Sequence, residues 1–166
     1  MTLGEQLQSM RVRVTTPRHE MCAELHGHGE ILLSFAPGWY DQCGEPDLER
    51  KLESLAKLLW AARMREYWRI FSRHTGRPIT SESPAVSPRD FAYRENRERL
   101  TATASSPDGR IALSVEGMRS WTVSIRRGTV EALDEPQFIT AVTRAASELI
   151  QDQYQKIAQL KDSLYG

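Results

Sequence analysis

The sequence predicts an α+β fold: two tandem αβββα modules, each an antiparallel three-stranded sheet with a long helix, paired as an internal pseudo-dimer. Three observations predict it. The punctuation of the chain recurs at an offset of 90 residues, so that Pro17, Gly27, Gly38, Pro46 and Gly76 return as Pro107, Gly117, Gly128, Pro136 and Gly166. Glycine and proline fix turns and helix ends, so their recurrence marks a repeated backbone. Between the marks, apolar residues first alternate with period two and then, after Glu45-Pro46 and Glu135-Pro136, recur every three to four positions. On this reading residues 1–76 form the first module, 77–90 a Pro/Ser-rich linker, and 91–166 the second.

Each module opens on a polar, helix-compatible segment, Leu3 to Met10 and Phe91 to Leu100. The alternation begins at Val12 and Val14 and at Ala102 and Ala104, and continues through Met21, Ala23 and Leu25 with Ile31, Leu33 and Phe35. Their counterparts are Ile111, Leu113 and Val115 with Trp121, Val123 and Ile125. Side chains two apart share a strand face, so each set predicts one buried face of an antiparallel sheet. Leu25, Leu33, Phe35, Val115, Val123 and Ile125 are expected in the core, and Glu24, His26, Ser114 and Glu116 in solvent. Thr16-Pro17-Arg18-His19 and Ser106-Pro107-Asp108-Gly109 read as the first turns, and the Gly27 and Gly117 regions as the second.

The Glu-Pro pairs place proline in a first helical turn and a carboxylate at its positive end. Leu48, Leu52, Leu55 and Leu59 make the apolar stripe of the first long helix; Ile139, Val142, Ala146, Leu149 and Gln153 continue the same spacing in the second. A helix of roughly 28 residues reaches about 40 Å, further than three strands can cover, so its far half needs another partner. Modules of roughly 75 residues carry little core of their own, which is the physical reason to expect them to pack together.

With 22 basic and 22 acidic residues, 11 against 10 up to Arg77 and 11 against 12 beyond it, neither half projects a field that recruits polyanions; only a local patch can do so. Cys22 and Cys43 have no counterparts, Ala112 and Leu133 standing in their places, which argues against a disulfide framework. Without a basic-then-apolar leader or an apolar run of membrane length, the chain reads as soluble and cytoplasmic, with no membrane partner.

Cys22, His26 and His28 lie at strand spacing with Cys43 in a later loop, but the turn at Gly27 to Gly29 breaks the strand parity and the second half offers Ala112, Glu116, Met118 and Leu133 instead. The sequence therefore predicts no metal and no cofactor. No Ser-His-acid set or phosphate-cradling glycine loop occurs, and Ser105, Ser106 and Asp108 are accounted for by their turn, so no enzyme is expected.

The strongest functional candidates are basic: Arg63, Arg65, Arg69, Arg73 and Arg77, with His74 and only Glu66 opposing, on the distal half of the first long helix. Arg65, Arg69 and Arg73 are four apart and share a helix face, which suits phosphate contacts; the plainer reading is a solvated face whose arginines favour a helix C-terminus. The second half has Gln155, Gln159 and Ser163 there, so such a surface is one-sided. Trp60, Met64, Tyr67 and Phe71 on the same helix have the spacing of packing residues, with Trp68 beside the arginines.

The run Ser105-Ser106-Pro107-Asp108-Gly109-Arg110-Ile111-Ala112-Leu113-Ser114-Val115-Glu116-Gly117, the alternating Trp121 to Ile125 strand and the Glu135-Pro136 helix resemble the YbaB/EbfC family. The resemblance covers residues 91–166, and reaches residues 1–76 only through the repeat, because Arg18-His19 replaces Asp-Gly in the first turn. It implies an αβββα fold, a dimer here fused into one chain, and nucleoid-associated DNA binding. It also implies a kinship with modules of type VII secretion-associated proteins. The expected partner is DNA, bound weakly and salt-sensitively through Arg65, Arg69 and Arg73; the alternative is another protein, for which the chain serves as a chaperone-like or secretion-accessory module.

Overall fold

The computed structural model describes residues 1–166. In chain order come α1 (Leu3–Gln8), β1 (Arg11–Thr15), β2 (Met21–His26), β3 (Glu30–Phe35), a single 3-10 turn (Tyr40–Gln42) and α2 (Glu45–Thr75). Then follow α3 (Pro88–Arg99), β4 (Thr101–Ser105), β5 (Ile111–Glu116), β6 (Ser120–Ile125), the one-turn α4 (Thr129–Ala132) and α5 (Glu135–Tyr165). The fold is α+β, with two three-stranded antiparallel sheets, β1-β2-β3 and β4-β5-β6, and two helices of 31 residues. The strands and long helices of the second half begin and end 90 positions after their counterparts, and the strand registers keep that offset: Val12 opposes Leu25 as Ala102 opposes Val115.

The turn chemistry explains the shared registers. Thr16 and Ser106 exchange equivalent bonds with Met21 and Ile111: each side-chain oxygen accepts from the later residue's N–H, and each backbone N–H donates to its carbonyl. His19 (φ 60°) adopts the left-handed backbone that Gly109 (φ 72°) takes in the second turn. Gly27 (φ 59°) and Gly117 (φ 61°) donate to the carbonyls of Met10 and Leu100, and a Cβ at either would meet the carbonyl oxygen of Gln8 or Glu98. Only glycine closes each hairpin against the end of the preceding helix.

Helix starts differ in detail. Asp134 and Gln137 form a reciprocal capping box on α5, whereas α2 begins after Gly44 without a side-chain cap and relies on Pro46 and its acidic first turn. Each long helix packs on two strands of its own sheet and crosses to the third strand of the other: α2 on β1, β2 and β6, α5 on β4, β5 and β3. The far halves find α1 and α3 as partners, α1 against α2 and α3 against α5. One hydrophobic cluster of 22 buried residues draws on both halves, from Met21 and Leu48 to Ile111 and Phe138.

The burial expectations need two corrections. Leu25, Val115, Val123 and Ile125 are buried, but Leu33 and Phe35 are half-buried although β3 and β6 are both edge strands; the larger Phe35 ring packs at the rim of the core against the half-buried Trp39. Glu24, His26 and Ser114 are half-buried rather than exposed: on the outer face Glu24 lies 2.9 Å from His26 Nε2 and 3.8 Å from Arg13, and these side chains cover one another. The span read as a linker ends early, since α3 starts at Pro88, capped by Ser87 and Asp90.

Candidate nucleic-acid interface and the cavity between the halves

The basic surface rests on the distal half of α2, which Gly76 ends in the left-handed conformation (φ 74°) with Arg73 and His74 in the last turn, where cations favour the helix dipole. Arg65, Arg69, Arg73 and Arg77 are exposed. Arg69 forms a two-pronged pair with Glu66 one turn earlier on the same helix, Nε to Oε2 being 2.8 Å. No carboxylate of the other half pairs with any of the four. α2 also packs on β1, whose Arg11 and Arg13 are exposed.

Arg63 does not belong to that surface. It is 7% exposed, directed inward between α2 and α5. Its guanidinium donates to the Gly27 carbonyl (3.4 Å) and the Tyr154 hydroxyl, and lies 5.9 Å from the ring centroids of Trp60 and Tyr154. Burial pushes the Tyr154 phenol up, and the Arg63 charge opposes that shift. The spacing already held the signal: Arg63 stands four residues beyond Leu59, in line with the stripe of Leu52, Leu55 and Leu59.

The sulfur and imidazole groups stay dispersed. Cys22 Sγ accepts from Arg13 Nε (3.0 Å), His26 faces Glu24, His28 meets Tyr154 edge-on, and the Cys43 thiol donates to the Trp39 carbonyl (3.2 Å). Burial pushes the Cys43 thiol up to about 11, so it is a poor nucleophile at neutral pH. No group of three His, Cys, Asp or Glu side chains converges on one point. Asp108 accepts from the Arg110 N–H and the Ser106 hydroxyl, bonds that hold its carboxyl low and commit it to the turn.

Glu45, Glu49 and Glu53 form a row that sequence reading missed. Spaced by four on α2, they accept from the outward N–H groups of Gly128 (2.6 Å), Ile125 (2.9 Å) and Val123 (3.0 Å), capping the free edge of β6. Glu45 had a sufficient local explanation as a helix-start carboxylate; the signal for more was an acidic row directly flanking an apolar stripe.

Between the halves lies an apolar cavity of about 100 Å³, lined by 18 residues of which 16 are hydrophobic. Residues at the 90-residue offset line it in pairs: Ala23 and Leu113, Leu33 and Val123, Ala56 and Ala146. Trp60 of α2 packs against Trp121 of β6 at one end, ring centroids 6.2 Å apart, while Tyr67, Trp68 and Phe71 pack on each other further along α2. No helix is long and apolar enough to cross a membrane. No protein-family model, curated protein or solved structure matches the chain.

Proposed function

We propose that the chain is a tandem duplication of one αβββα module paired as an internal pseudo-dimer, and that it works in the cytoplasm as a non-enzymatic, nucleoid-associated DNA-binding protein resembling the YbaB/EbfC family. Support for the duplication comes from the constant 90-residue offset of strands, registers and long helices. The observation that carries the DNA reading is that Arg65, Arg69 and Arg73 are exposed along one flank of α2, with no partner in the other half. Phosphate contacts of this kind position a duplex without reading its sequence. With a net charge of zero, no global field adds to them, so binding is weak and salt-sensitive.

Titration of duplex DNA at two salt concentrations tests this. Replacing Arg65, Arg69 and Arg73 together with Ala is expected to weaken binding to all sequences alike and to lower the slope of log affinity against log salt by up to about three. Unchanged affinity rejects the surface. A second reading, a protein-interaction module, is favoured by one observation: the outward backbone groups of β1 carry no side-chain caps, whereas at the equivalent strand β4 Asp152 and Lys156 of α5 bond the Thr103 N–H and the Thr101 carbonyl. An uncapped edge accepts an added strand. Absence of DNA binding at about 50 mM salt, where phosphate contacts are strongest, turns the assignment to that reading.

A further inference from the structure

We infer that the cavity between the halves is a binding site for a small, uncharged apolar molecule about the size of one aromatic ring. Four observations carry it. The space is about 100 Å³, and cavities of about 150 Å³ with aliphatic and aromatic walls stay dry and take up benzene or xenon. Its only polar lining residues are Ser114 and Thr122, so it offers a charged guest no counter-charge and water too few partners. The space exists because α2 and α5 present Ala56 and Ala146 where their neighbours on the same stripes, Leu52, Leu59, Val142 and Leu149, are large. The lining also reaches the surface: Ile31, Trp60 and Trp121 are half-buried, so a guest has an entrance flanked by two indole rings.

The site owes nothing to the arginine surface, and the two can fail separately. The measurement uses the full chain with benzene as the probe, read by thermal unfolding and by tryptophan fluorescence. Saturating benzene is expected to raise Tm by about 2–4 °C, increasing with the logarithm of its concentration, and to alter the emission of Trp60 and Trp121. Ala146→Leu fills the cavity and is expected to abolish both responses; Ala56→Val removes less volume and serves if the larger side chain impairs folding, as seen by far-UV circular dichroism. The Arg65, Arg69 and Arg73 triple variant is expected to respond like the parent chain. No shift in the parent chain up to the solubility limit of benzene overturns the proposal, and so does an undiminished shift in a folded filled variant.

Discussion

The two places where a long helix meets the other half's third strand have the same backbone and opposite chemistry. At the α2–β6 junction, Glu45, Glu49 and Glu53 accept from the edge of the strand, a polar ladder that leaves no outward N–H of Val123 or Ile125 unpaired. At the α5–β3 junction the equivalent helix positions are Glu135, Ile139 and Thr143, and Thr143 Oγ1 donates to the Ile139 carbonyl of its own helix (2.8 Å). Aromatic packing takes the ladder's place. Phe35, Tyr40 and Phe138 stack within 6.1 Å of one another, Trp39 meets Phe35 edge-on, and Tyr40 donates to the Leu133 carbonyl (2.8 Å). The Ile125 and Leu48 equivalents of Phe35 and Phe138 cannot build such a cluster. One backbone geometry thus accepts either apolar area or charge-assisted hydrogen bonds as its glue: the N–H groups of Val123 and Ile125 have glutamate acceptors, and those of Leu33 and Phe35 have no side-chain acceptor.

The largest expected effect lies at the aromatic junction. Phe138→Ala empties a fully buried ring site touched by Phe35 and Tyr40, and is expected to cost about 3–5 kcal/mol in urea unfolding. At the ladder, Glu49→Ala and Glu53→Ala each expose one strand N–H to partial burial without a partner, for an expected loss of about 1–2 kcal/mol apiece. Thr143→Ala, at the Glu53-equivalent position, is expected to lie within about 0.5 kcal/mol of the parent. Equal costs for Glu53→Ala and Thr143→Ala would break the contrast between the junctions. The aromatic junction also carries a titration, felt only at alkaline pH. Burial, with Asp134 and Glu45 adding to it, pushes the Tyr40 phenol up to about 12, above the ordinary value near 10 that it regains on unfolding. A raised folded value means that the contribution of neutral Tyr40 is fully present below about pH 10 and is lost as pH rises through about 12. Thermal melts between those limits should therefore fall more steeply for the parent chain than for Tyr40→Phe, which itself gives up about 1 kcal/mol of hydrogen bonding.

The basic stretch of α2 and the edge row facing β6 differ in how far sequence could read them. Arg65, Arg69 and Arg73 are exposed as their spacing suggests, because side chains four apart share a flank of any helix. Arg63 reads by spacing alone as one more arginine of the series, yet the apolar stripe it continues carries it inward, where Tyr154 from 91 residues away supplies a partner. The glutamate row was invisible for the same reason: its partners lie 70 to 83 residues further along the chain.

By itself the sequence determined the elements: three strands, two turns and a long helix in each half, with boundaries set by Pro, Gly and Glu-Pro and faces set by period two or period 3–4. Those signals are local, since the turns and stripes involve neighbours within a few residues, whose sterics and burial preferences hold whatever the rest of the chain does. Only the tertiary structure decided that each long helix crosses to the other sheet, that one junction is acidic and the other aromatic, and that two alanines leave a cavity between the halves. Those outcomes depend on which faces meet across the chain and in what register, and packing at native density fixes that through the summed fit of many distant side chains rather than through any short pattern.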